Sequence, residues 1–278
     1  MKFKLGCTLA YEAYDRALFF FNVEAVGNES QTVIEERLEI DPPQTIETYV
    51  MPETGNRCLR FETGPGPVTL RYEAIIDHHP LRLDATDIAE TDAAVLPPRV
   101  LPYLIPSRYC EADRLAHLAT IEFGAMKRGH DRVTGICNWV YGQLGYISGS
   151  SDLHTSTLDT LVDRAGVCRD FAHLGIALCR ALGIPARYVS VYAWRLRPPD
   201  FHAVFEAYLG GRWYLFDPTR QAAIEGLVRI GVGRDAAEVA FANFIGPVEP
   251  GDMKVFIEPV EPPDWYVPTI DAVSVSAS

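Results

Sequence analysis

The chain is poor in lysine and has no long apolar run and no paired-cysteine motif, and each absence removes a class of function. Lysine occurs only as Lys2, Lys4, Lys127 and Lys254, and 37 acidic residues outnumber 25 basic ones for a net charge of -12. A surface of that sign repels phosphate backbones, and no basic cluster is available to hold an anionic lipid surface, so neither nucleic acid nor membrane is an expected partner. No stretch approaches the about 18 uninterrupted apolar residues of a membrane span. The opening MKFKLGCTLAYEAYDRALFFF is interrupted by Glu12 and Asp15 before an apolar segment develops, which argues against a secretory signal and against a lipoprotein signal at Cys7. A cytoplasmic location is expected. The six cysteines (Cys7, Cys58, Cys110, Cys137, Cys168, Cys179) form no C-x-x-C pair and no zinc-like spacing with histidine, so reduced thiols are expected, with neither a disulfide framework nor a zinc cluster. The run Gly231-Val232-Gly233-Arg234 matches neither phosphate-loop nor dinucleotide patterns, and no metal or organic cofactor is expected.

What is present is the composition of a globular protein: 278 residues, 48% apolar, long enough for two ordinary domains. Up to about Asp77 the apolar residues come in short β-rich runs separated by turn signals such as Asp41-Pro42-Pro43 and Gly64-Pro65-Gly66. In VTLRYEAII, Val68, Leu70, Tyr72 and Ala74 share one face, as in a half-buried strand. The stretch from His78 to Ser107 is irregular and broken by prolines, and a domain boundary is placed there. Helical spacing follows in Leu115, Leu118 and Ile121, then in Val133, Ile136, Val140 and Leu144. A third helix runs from about Cys168 to Leu182, stopped by Gly183-Ile184-Pro185. Strand-like runs at Ala186 to Trp194, Ala203 to Leu209 and Arg212 to Phe216 come next, the last two joined by Gly210-Gly211. The predicted division is a β-rich domain over 1–95, an α+β domain over 96–262 and a loose tail over 263–278.

Cys168 stands at the start of the third helix, where orphan backbone N–H groups and the helix dipole favour a thiolate. With a two-residue loop at Gly210-Gly211, Leu209 faces Arg212 and Val204 faces Asp217. His202 then lies diagonal to Asp217 on the same face, about 7–8 Å away between backbones, within reach of a hydrogen bond between the side chains. A nucleophile at a helix start with a base and its orienting carboxylate on one hairpin is the logic of a cysteine triad. Two other carboxylates compete: Asp200, two residues before His202, and Glu206, on the same strand face. Asp170 reads as a helix-start residue and His173 as pointing away from Cys168.

Three segments, GVCRDFAHL (166–174), DFHAVFEAYL (200–209) and WYLFDPT (213–219), resemble the signature blocks of the transglutaminase-like superfamily of papain-fold cysteine enzymes. The resemblance implies a β-sandwich-like N-terminal domain followed by a papain-like catalytic core. It also implies Cys168 as nucleophile, His202 as general base and Asp217 as orienting carboxylate. The implied activity is acyl transfer on peptide or side-chain amides through a thioacyl intermediate, as a cysteine protease or other hydrolase acting on a peptide or protein substrate. Amine transfer, or a silent peptide-binding or assembly module, are the alternatives. Val204 departs from the family's usual Trp and is expected to alter a pocket wall. The Cys168 backbone N–H is one oxyanion donor, and Trp139, Tyr146 and Tyr188 are candidates for a second.

Overall fold

A computed structural model describes residues 1–261, 266–267, 269 and 271–276. The chain first runs through β1 (Lys2–Ala13), β2 (Ala17–Phe21), β3 (Gln31–Asp41), β4 (Glu47–Val50), β5 (Arg57–Thr63), β6 (Gly66–His78) and β7 (Leu81–Leu83). Short 3-10 turns occupy the proline-rich stretch. Then come α1 (Ala116–Phe123), α2 (His130–Gln143), β8 (Gly145–Tyr146), α3 (Thr157–Asp163), β9 (Ala165–Gly166) and α4 (Cys168–Ala181). The last part holds β10 (Ala186–Ala193), β11 (Phe201–Leu209), β12 (Arg212–Phe216), β13 (Leu227–Gly233), α5 (Ala236–Val239), β14 (Ala242–Ile245), β15 (Val248–Pro259) and β16 (Ala272–Ser274).

Period-two burial builds the N-terminal region. Along β1, Phe3, Leu5, Cys7, Leu9, Tyr11 and Ala13 point inward, and along β6, Val68, Leu70, Tyr72, Ala74 and Ile76 do the same. The strands form two antiparallel four-stranded sheets, β15-β1-β6-β3 and β14-β2-β5-β4, whose apolar faces meet over one core containing the stacked rings of Phe19, Phe21 and Phe61.

The second region packs helices on an antiparallel sheet ordered β12-β11-β10-β13. Val133, Ile136 and Val140 of α2 are fully buried, as their spacing predicts, while Ile121 of α1 is solvent-exposed and the buried residues there are Ala119 and Phe123. The central element is α4, buried from Asp170 to Arg180. It ends where the sequence predicts: Gly183 takes a φ of 76°, and the Ile184 N–H closes on the Cys179 carbonyl at 3.0 Å. The helix approaches β11 so closely at Gly175 that an added Cβ would stand 2.6 Å from the Phe205 ring.

Two expectations change. Residues 242–259 are expected in the second region, but β14 pairs with β2 and β15 pairs with β1 along most of its length, so the chain returns to complete both N-terminal sheets. The expected loose tail is ordered where it is described: β16 pairs with β7, the Trp213 N–H bonds the Ser276 carbonyl at 3.3 Å, and residues 272–276 are buried. Residues 262–265, 268, 270, 277 and 278 lie outside the described residues. Among the described residues no helix is long and apolar enough to cross a membrane.

Two helical glycines provide a matched test of the α4 approach. Gly175→Ala places its methyl against a buried ring, and overpacking is expected to cost about 1–3 kcal/mol against an Ala gain of at most about 1 kcal/mol in helix propensity. Gly142 in α2 has open space around it, so Gly142→Ala keeps the propensity gain and stabilises. Urea unfolding of both variants reads the opposite signs.

Candidate functional site

The site forms where β11 enters the sheet and β12 leaves it. The β11–β12 pairing runs from Leu209↔Arg212 to Phe205↔Phe216, the register predicted for a two-residue turn. Alternation sends Ala203, Phe205, Ala207 and Leu209 into the core shared with α4. His202, Val204 and Glu206 take the other face. One residue beyond β12, Asp217 falls on the His202 face, and the two side chains meet: His202 Nε2 is 3.0 Å from Asp217 Oδ2. Both side chains are almost fully shielded from solvent.

Asp217 is held from its other side as well. Its Oδ1 accepts the Thr219 backbone N–H at 2.9 Å and the Thr219 hydroxyl at 2.7 Å. Thr219 is a site residue that sequence reasoning passed over, although Asp-Pro-Thr carries the signal of an Asp side chain bonding the backbone two residues on. Burial opposes charge on Asp217, but His202 and Thr219 outweigh it and hold the carboxyl below its ordinary range. Burial likewise opposes a charged His202, yet the adjacent carboxylate, with a smaller contribution from Cys168, lifts the imidazole from an ordinary 6.5 to about 10. The imidazolium form is therefore the stable one at neutral pH.

The other ring nitrogen, His202 Nδ1, is buried and makes no ordinary hydrogen bond. The Cys168 thiol is among the groups that raise the imidazole pKa. Cys168 is half-buried at the first residue of α4. The start of that helix is braced by Asp170, whose carboxylate accepts the Val167 N–H at 2.9 Å and is held by Arg169, a structural part consistent with its place in the first turn. Burial pushes the thiols of the other five cysteines up, Cys7 and Cys110 to about 12.

The remaining predicted residues sort clearly. Glu206 does not reach His202, since it is buried between Arg187, at 2.7 Å, and Arg229. Asp200 is exposed and accepts its neighbour Phe201's N–H at 2.7 Å. His173 lies between the rings of Tyr109 and Tyr188, accepts the Ala236 N–H at 3.1 Å and is pushed down to about 3 by burial, so it is neutral and turned away from the site. Val204, where a changed pocket wall is expected, is fully buried in a cluster with Leu215, Val273 and Val275, beneath the C-terminal strand.

Two of the three aromatic candidates, Tyr146 and Tyr188, feel the Cys168 thiol, which adds to burial in pushing both phenols up. A parallel β8–β9 pairing sets Tyr146 opposite Gly166, two residues before Cys168, and the Ile147 N–H bonds the Gly166 carbonyl at 3.0 Å. Burial and the Cys168 thiol push the Tyr146 phenol up, and the hydroxyl also meets the Cys168 backbone N–H. Trp139 instead packs edge-on against Phe123. Tyr188 is buried against His173. Among the described residues no three His, Cys, Asp or Glu side chains converge as a metal site.

Comparison with known proteins agrees with the fold and its order. Residues 119–218 match the model of the transglutaminase-like superfamily, and residues 1–95 match that of the bacterial transglutaminase N-terminal domain. A crystal structure from Cytophaga hutchinsonii, described as "a putative cysteine protease", is 42% identical, covers 99% of this chain and 97% of its own, and superposes with a TM-score of 0.93. An uncharacterized protein of Mycobacterium leprae is 29% identical over 239 residues, 77% of this chain and 81% of that one. The chain belongs to the transglutaminase-like superfamily.

Proposed function

We propose that the protein is a cysteine-dependent acyl-transfer enzyme acting on peptide or side-chain amides, and that it works as a hydrolase. The observation that carries this reading is the buried His202–Asp217 contact of 3.0 Å, with His202 Nδ1 left without a partner and Cys168 at the first residue of α4. Cys168 Sγ attacks the amide carbonyl and forms the C–S bond. His202, holding the thiol proton on Nδ1, passes it to the nitrogen as the C–N bond breaks, and Asp217 keeps the ring oriented and its charge compensated. Water then attacks the thioester to release the acid. The Cys168 backbone N–H and the Tyr146 hydroxyl are the donors that would meet the developing oxyanion. The similarity to a protein described as a cysteine protease favours water over an amine as the acceptor.

The nucleophile is tested by a low dose of iodoacetamide at about pH 6, where ordinary thiols are mostly protonated. Peptide mapping should find the label on Cys168, and His202→Ala should slow it by about tenfold or more. Labelling of another cysteine with Cys168 untouched would overturn the assignment. Incubation with a peptide library, read by mass spectrometry, separates fragments (hydrolysis) from added amine mass (transfer). In that assay Tyr146→Phe should lose about 10²-fold in turnover, a much larger effect than on iodoacetamide labelling, because alkylation develops no oxyanion.

The pair also shapes stability against pH. A His202 pKa raised from 6.5 to about 10 contributes stability that is whole below about 6.5 and lost as pH rises through about 10, while the lowered Asp217 contributes above its ordinary 3.8 and loses this as pH falls. The stability difference between wild type and His202→Gln, measured by urea unfolding, should therefore shrink steadily from pH 6 to pH 10.

A further inference from the structure

We infer that the cavity at the Asp217 end of the site is a carboxylate-binding subsite for the amine half of the substrate, built on Arg195 and Arg220. The inference rests on the acyl-transfer reading above and adds to it the chemical class of the leaving or accepting amine.

The cavity has a volume of about 630 Å³ and is lined by Asp217, Arg195, Arg220, Gln221, Glu225 and Tyr266, among others. Each arginine is steadied on an aromatic face. The Arg220 guanidinium stands 4.3 Å from the Tyr141 ring centroid and donates to Asn138 Oδ1, while that of Arg195 stands 4.5 Å from the Tyr266 ring. Neither has a carboxylate partner among the described residues, so their remaining N–H groups are available to a ligand. The anions already there form no ion pair with them among the described residues: both Asp217 oxygens are taken by His202 and Thr219, and Glu225 is buried with its Oε2 unpartnered. The backbone points the same way. Three non-glycine residues of the described chain have a positive φ, and two of them are Arg195 at 71° and Arg220 at 56°. A long side chain in that conformation persists where its surroundings hold it, and such positions gather at ligand-binding sites.

The placement gives the cavity its role. The acyl half of an amide is held where Cys168 and Tyr146 meet. The amine half receives its proton from His202 Nδ1, and the cavity adjoins the same imidazole through Asp217, which meets His202 and lines the cavity beside the two arginines. A carboxylate on that half, either the C-terminus of the residue that leaves or an acidic side chain next to it, meets two guanidinium groups in a protein whose net charge otherwise repels it.

Protection of Cys168 from iodoacetamide at about pH 6 tests this with the full-length chain. The probes are Ala-Ala, Ala-Ala-amide and Ala-Glu-amide, which separate a terminal carboxylate from a side-chain one. At least one carboxylate-bearing peptide should protect at about tenfold lower concentration than Ala-Ala-amide. Arg195→Gln and Arg220→Gln, both at exposed positions and checked for folding by circular dichroism, should lose most of that advantage, and Arg220→Lys should keep part of it. Equal protection by all three peptides, protection unchanged in the variants, or no protection at all overturns the subsite. Should Cys168 itself fail to label, the acyl-transfer reading falls, and calorimetric titration of the same peptides into wild type and variants still decides the subsite on its own.

Discussion

The register of one hairpin is the constraint on which the site depends. Gly210 and Gly211 both take positive φ, 55° and 89°, the pair of conformations a two-residue turn demands and the one that matches the twist of the flanking strands. Because side chains alternate with a period of two, a slip of a single residue in β12 would carry Asp217 to the opposite face from His202 and leave two polar groups buried apart. The register is held by what lies on each face. Phe205 and Phe216, paired across the strands with centroids 5.5 Å apart, are locked into the α4 core, while Val204 and Leu215 are locked beneath the C-terminal strand.

The face that carries His202 also shows how this fold tolerates buried charge. Desolvation is the largest influence on His202, Asp217, Glu206 and Arg229 alike, and in each case it works against the ionised form. The protein meets that cost by supplying every buried carboxylate on this face with more than one donor. Asp217 has His202 and both Thr219 groups, and Glu206 has two arginines. The Arg187 guanidinium is further covered by the Trp213 ring at 4.1 Å. The two clusters lie four residues apart along β11 with the apolar Val204 between them, so Glu206 serves as a counterion and does not compete with Asp217 for the imidazole.

The parts of the molecule legible in the sequence are those written in local chemistry. The α4 boundaries follow from Cys168 after Gly166 and from Gly183-Ile184-Pro185, and the hairpin follows from Gly210-Gly211. The hairpin signal brings His202 and Asp217 together. Signals that depend on distant partners were not legible. The start of β1 has the alternation of a strand, but its partners β6 and β15 are distant in the sequence. The strand β13 carries two glycines and is buried along its whole length, so it shows no alternation. The return of residues 242–259 to the first sheets depends on partners more than 200 residues away, which no window of sequence contains. The burial of Val204 with Leu215 was not legible either, because the likeness of a motif says which residue differs, not which side of the sheet that residue fills.

The N-terminal sandwich does more than precede the second region. In the order β12-β11-β10-β13, the strand β13 is an edge, and an edge leaves a row of backbone groups without partners. Two side-chain amides from the sandwich take the place of a neighbouring strand. Gln31 accepts the Arg229 N–H and donates to the Arg229 carbonyl, both at 2.9 Å, and Asn56 does the same at Val232, both at 2.8 Å. The Tyr192 hydroxyl of β10 donates to the Val23 carbonyl at 2.7 Å, and Tyr192, Trp194, Phe201, Val228 and Ile230 pack into the sandwich core. Phe201 is the residue before His202. The entry of β11 into its sheet, and with it the position of the imidazole, is thus set partly by apolar packing that the first strands and the returning strands provide together.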